Sequence, residues 1–143
     1  MKVAFFSNFL MLLLVLISNL QPAMAGDAAS LSSEEALMAR VKTIWQAKKD
    51  DDWETVYLMS DQKFRASVTK NKFLQGKNMV IQDYSVSKVE IDPADQNAGA
   101  SMVIFKTIKS GVALTLSVKD LWLCEDGLWN IKLSDPANPF GRK

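Results

Sequence analysis

Apolar residues recur at Leu37, Val41, Ile44 and Trp45, a spacing of i, i+4, i+7 and i+8 that marks one face of an α-helix of about four turns. Ser32 with Glu35 three residues on reads as a capping box opening that helix, each side chain satisfying the other's free backbone N–H. Asp50-Asp51-Asp52 interrupts the stripe. Asp52 suits the N-cap of a second short helix carrying Trp53, Val56, Tyr57 and Met59, where its charge complements the helix dipole. Phe64 falls in a loop, and Thr69 caps a third short helix with Phe73 and Leu74 that Gly76 ends. From Met79 the period changes to two. Strands are predicted over 80–92, 101–109, 112–124 and 128–134, with a loop over 93–99 and a bulge where the alternation slips at Ser87-Lys88.

Ser110-Gly111 and Asp126-Gly127 read as two-residue hairpin turns, which fix register. Counting out from them pairs Val103 with Val118, Phe105 with Leu116, Cys124 with Trp129, Trp122 with Ile131 and Asp120 with Leu133. The two hairpins share the long third strand, so their faces join. One face carries Val103, Phe105, Leu114, Leu116, Val118, Asp120, Trp122, Cys124, Trp129 and Ile131, and is the predicted core face. The other is mixed: Met102, Ile104, Ile108, Leu121 and Leu123 stand among Lys106, Lys119 and Lys132. Five large apolar side chains on a solvated sheet face predict a homodimer through that face, unless the loop over 93–99 or the tail with Phe140 covers it. The fold class expected is α+β, with N-terminal helices packed on one face of a curved, mostly antiparallel four-stranded sheet.

The first residues follow a different logic. Lys2 is followed by an unbroken apolar run over 9–17, then Pro22 and Ala23-Met24-Ala25 before Gly26. This is the order of a cleavable signal peptide over 1–25. The run is far short of the ~20 residues that span a bilayer, and no cysteine lies near the cleavage point to carry a lipid. The expected location is periplasmic or secreted, with no membrane span after cleavage. The remaining chain is expected to form a single domain over 32–135 and a flexible tail over 136–143.

Composition narrows the chemistry. Seventeen Lys and Arg face sixteen Asp and Glu; with Lys2 removed the charges balance, which leaves no electrostatic footprint for nucleic acid. Histidine is absent, which removes His-based triads and His-ligated zinc. The single cysteine, Cys124, cannot form an internal bridge and reads as a buried, inert thiol. The aspartate triplet lacks the alternating ligands and turn glycine of a calcium loop. No metal and no cofactor is expected.

Asp120 is out of place on an apolar face, because burying a carboxylate is costly unless it is paired or protonated. It is either a structural acid, bonded to backbone or to a lysine, or a polar group inside an apolar pocket. Trp45, Trp122 and Trp129 likewise serve as core or as the lining of a ligand site.

Trp45, Asp52-Trp53, Tyr57, Phe64, Tyr84 and Asp126-Gly127-Leu128-Trp129-Asn130-Ile131 form a pattern that resembles the nuclear transport factor 2-like superfamily, which includes ketosteroid isomerase-like proteins. The resemblance runs from about Ser32 to Ser134. It implies a cone-shaped sheet wrapped around a long helix, with an apolar pocket. Trp45, Tyr57, Tyr84, Phe105, Asp120, Trp122 and Trp129 are its candidate lining. It also implies a range of activities, from isomerases and dehydratases to non-catalytic binding and assembly modules. Asp120 falls near where ketosteroid isomerases place a pocket acid, and Asp120 and Tyr84 are the catalytic candidates. No second acid can be placed as general base, since Asp83 shares its strand with the inward Tyr84 but faces the other way. The function expected is an exported, non-catalytic module that binds a small apolar ligand or a partner protein. The alternatives are an acid–base isomerase or dehydratase using Asp120, and a structural module of a cell-envelope assembly.

Overall fold

A computed structural model describes residues 33–75 and 79–134. The signal peptide expected over 1–25, the expected cap at Ser32, Gly76 and the tail expected over 136–143 lie outside the described residues. The elements run α1 (Glu34–Lys49), α2 (Trp53–Leu58), α3 (Gln62–Ser67), α4 (Lys70–Leu74), β1 (Ile81–Asp92), β2 (Asp95–Lys109), β3 (Val112–Glu125) and β4 (Leu128–Ile131). The strands form one antiparallel sheet in the order β1-β2-β3-β4. The helices pack against it, and the fold is α+β.

Each helix starts at a side-chain cap. Ser33, rather than Ser32, caps α1, its hydroxyl accepting from the Ala36 N–H at 3.1 Å. The third helical position is therefore an alanine, and no capping box forms. Glu34 and Glu35 in the first turn and Lys48 and Lys49 in the last suit the helix dipole. Asp52 caps α2 and Thr69 caps α4. Phe64 lies within a helix, not a loop: Asp61 accepts from the Phe64 N–H at 3.0 Å and opens α3.

The two hairpin registers are as the turns predict. Both turns place their two residues at positive φ: 52° and 79° at Ser110-Gly111, 52° and 77° at Asp126-Gly127. That double left-handed geometry matches the twist of the flanking strands. The bulge falls between Val86 and Lys88, where the Ser87 hydroxyl donates to the Met102 carbonyl at 3.0 Å. The extra residue resets the alternation, so that Val86, Val89 and Ile91 all pack on the core while Lys88 and Glu90 point outward.

Two strand ends differ from the sequence expectation. β2 begins at Asp95 instead of 101, and Pro93-Ala94 makes a tight turn in place of a loop. Asp92 accepts from the Ala94 N–H at 2.8 Å and Asp95 from the Asn97 N–H at 2.9 Å, so two aspartates stabilise the turn locally. β4 stops at Ile131, short of 134, and Leu133 does not join the ladder opposite Asp120. The segment 59–61 takes over its outer edge: the Ile131 N–H donates to the Met59 carbonyl and the Asp61 N–H to the Ile131 carbonyl, both at 2.9 Å.

The core is in two parts. The larger joins α1 (Leu37, Val41, Ile44, Trp45) to the sheet (Val103, Phe105, Trp122, Trp129, Ile131). The smaller lies among the short helices, around Trp53, Val56, Tyr57, Phe64 and Phe73. Leu133 packs against both.

Candidate functional site

Asp120 stands on β3 facing α1. Its Oδ2 accepts the Trp45 indole N–H at 2.9 Å and lies 3.9 Å from the Lys48 ammonium, which in turn sits 4.2 Å from the centre of the Trp45 ring. Trp45 and Lys48 are three residues apart, one helical turn, so one face of α1 presents both to the same carboxylate. The side chains of Lys48 and Asp120 are nearly buried, at 11% and 12% exposure, and the pairing offsets the cost of burial. This constellation fastens α1 to β3.

The predicted pocket residues divide between the two cores. Trp45 contacts Phe105 at 5.1 Å and Tyr84 at 6.0 Å between ring centres, and Trp122 and Trp129 are fully buried in the same cluster. These side chains pack on one another. Tyr57 is elsewhere, against Phe64 and Phe73 in the smaller core, with its hydroxyl donating to the Val68 carbonyl at 2.8 Å. The Tyr84 hydroxyl donates to the Lys42 carbonyl at 3.1 Å. Partial burial, and then the nearby carboxylates of Asp50 and Asp83, raise its pKa, so it stays protonated and serves as a strut. The Trp122 indole donates to the Ser101 hydroxyl at 3.0 Å. Trp129 Nε1 is buried without a partner among the described residues.

Open space lies on the opposite face of the sheet. A cleft of about 380 Å³ runs between the β1–β2 turn and the start of the β3–β4 hairpin. Ala98, Ala100, Leu121 and Leu123 contribute its apolar surface, with Glu90, Asp92, Lys119 and Lys132 around it. The cleft exists because β2 carries alanines at 98 and 100, between larger neighbours. Gly99 between them faces the other way, where an added Cβ would meet Leu37 Cδ2 at 2.9 Å and the Glu90 carbonyl at 3.1 Å. Small residues at 98–100 thus let α1 approach one face and leave a hollow in the other. Three further residues of the predicted dimer surface, Met102, Ile104 and Ile108, stand on this outer face; Ile104 and Ile108 are 40% and 44% exposed.

Asp61 was not legible as a key residue. It is 3% exposed, caps α3 with Oδ1, and accepts the Leu133 N–H at 3.3 Å with Oδ2. The spacing of Asp61 and Phe64, an acidic cap three residues before a buried aromatic, is the signal that would have found it.

The fold and its sites define an α+β protein with a packed aromatic core between α1 and the sheet and a cleft on the outer face. No family model matches the chain, and no curated protein does. Among solved structures, the chain is similar to a SEC-C motif containing protein from Rhodopseudomonas palustris. The TM-score is 0.56 at 12% identity, over 73% of this chain and 79% of that one. That likeness is one of fold.

Proposed function

We propose that this chain is an exported, non-catalytic module that binds a small, largely apolar ligand in the cleft on the outer face of its sheet. The observation that carries the reading is the contrast between the two faces. Where α1 covers it, the inner face is packed with aromatic side chains, whereas the outer face holds a cleft of about 380 Å³ floored by Ala98, Ala100, Leu121 and Leu123. That volume is at the lower end of the range for small-molecule sites, roughly 300–1,000 Å³, and suits a compact ligand. The engagement of Asp120 by Trp45 and Lys48 favours binding over acid–base catalysis, because the oxygen facing the core is already occupied.

The test is native mass spectrometry of the protein isolated without denaturation, beside Ala100→Leu, which fills the cleft from the centre of β2. A small-molecule adduct on the wild type that Ala100→Leu loses is the expected result. An adduct equally present on both, or on neither, overturns the reading. Export is tested separately by N-terminal sequencing of envelope material, which is expected to begin at Gly26; a start at Met1 means an anchor.

A further inference from the structure

The sheet has two long edges, and they are treated differently. The β1 edge is interrupted by three register shifts and carries Asp83, Lys88, Glu90 and Asp92. Bulges and charges of this kind are how proteins discourage strand pairing at an edge. The β3 edge has no such shift. β4 covers only Trp122 to Glu125, with Lys132 adding a bond to the Leu121 carbonyl. Below that point come Asp120 and Lys119, and then the run Val112-Ala113-Leu114-Thr115-Leu116-Ser117-Val118, which holds no charge, proline, glycine or bulge.

The direction of the free backbone groups follows from the ladder. The Leu121 carbonyl faces β4, and N–H and C=O of alternate residues point to the same side of an antiparallel strand. The backbone groups of Ala113, Thr115 and Ser117 therefore face outward, and among the described residues none of them is paired outside the β2–β3 ladder.

We infer that this edge joins a second copy of the chain, β3 against β3 in antiparallel pairing, with Thr115 on the two-fold axis. The sequence supplies the argument for the occupant. Read outward from Thr115, the segment is self-complementary: Leu114 meets Leu116 of the second copy, Ala113 meets Ser117, and Val112 meets Val118. A two-fold interface requires this reciprocity. The phase is also correct, since the outward-facing residues 113, 115 and 117 fall at hydrogen-bonded positions, with 115 opposite itself. Moving the axis to Ser117 would set Leu114 against Asp120. In the Thr115 register, Val112 and Leu116, which are 58% and 44% exposed in one copy, gain apolar cross-strand neighbours on the α1 side of the sheet. The outer face offers a poorer match for itself, because Lys106, Lys119 and Lys132 interrupt its apolar residues.

Sedimentation of the purified chain at about 100 µM, where a weak dimer is populated, gives the first readout. A particle of twice the chain mass is expected. Thr115→Pro removes an N–H that faces away from β2, so it is expected to leave the circular dichroism unchanged and abolish the dimer. Thr115→Lys sets two like charges together on the axis and gives the same result without touching the backbone, which decides the matter if the proline variant fails to fold. Leu121→Lys, on the outer face, stays dimeric. In a Cys124→Ser background, Thr115→Cys is expected to form an interchain disulfide under oxidation. Ala113→Cys is not, being about 13 Å from its mate in this register. A monomeric wild type overturns the proposal, as does a dimer that survives Thr115→Lys and is broken by Leu121→Lys.

Discussion

The indole N–H of Trp45 donates to Asp120 across 75 positions of sequence, at 2.9 Å, and together with the Lys48 ammonium 3.9 Å from the same oxygen it joins the first helix to the third strand. Trp45 is 2% exposed, so its N–H relies on the carboxylate for a partner. Asp120→Ala is therefore expected to destabilise the fold by about 1–3 kcal/mol, the cost of a buried donor left unmade. Asp120→Asn, which keeps an acceptor oxygen, should lose less. Urea unfolding followed by tryptophan fluorescence measures both; equal stability of Asp120→Ala and the wild type would show that the bond holds nothing.

At Gly99, β2 lies close beneath Leu37 of α1. A methyl group there meets Leu37 at 2.9 Å and the Glu90 backbone at 3.1 Å. Gly99→Ala is expected to cost about 1–3 kcal/mol through overpacking. Leu37→Ala should absorb part of that cost, so the double variant is less destabilised than the two single effects added together. Strict additivity would place the strain elsewhere.

Burial raises the pKa of the Cys124 thiol, although a backbone hydrogen bond from Gly127 opposes the shift. Less of the reactive thiolate is present near pH 8 than in a free cysteine. Ellman's reagent should react at least about tenfold more slowly with the folded protein than with the urea-unfolded chain. Equal rates would mean an open thiol.

Asp52 is held below its ordinary pKa, first by the Thr55 hydroxyl and then by the Thr55 backbone N–H. A depressed carboxyl stabilises the fold above its unfolded pKa, and that contribution fades as pH falls through the folded one. Asp52→Ala should thus lower the urea midpoint at neutral pH, and the gap from the wild type should close in acid below the folded-state pKa. A gap that persists there would point to packing rather than charge.

The parts of the fold governed by nearby residues were legible in the sequence. The two-residue turns at Ser110-Gly111 and Asp126-Gly127 fix their registers locally, and the caps at Asp52 and Thr69 act over three residues. The start of β2 was hidden because Asp95, Gln96 and Asn97 are exposed in the strand, so their polarity looks like that of a loop. The end of β4 was hidden because it is set by the segment 59–61, some seventy positions away. The α1 pairing of Asp120 was visible only as a choice between structural acid and pocket acid, since its partners lie on another element. The outer cleft had no signature at all: it is a hollow made by what alanine lacks.

The two cores meet at Asp61, whose carboxylate serves α3 on one side and the strand end at Leu133 on the other. The hydrogen bonds between the short helices and the sheet gather along one line, Met59 and Asp61 with Ile131 and Leu133 and Gln62 with Glu125, so the short helices can loosen together while the sheet and α1 stay closed. In native-state hydrogen exchange, the amides of α2 to α4 should then share one opening free energy, below that of the β2–β3 ladder. Asp61→Ala should lower the first without moving the second by the same amount. A chain of this size would in that sense melt as two cooperative units, with its tolerance to damage set by the weaker one.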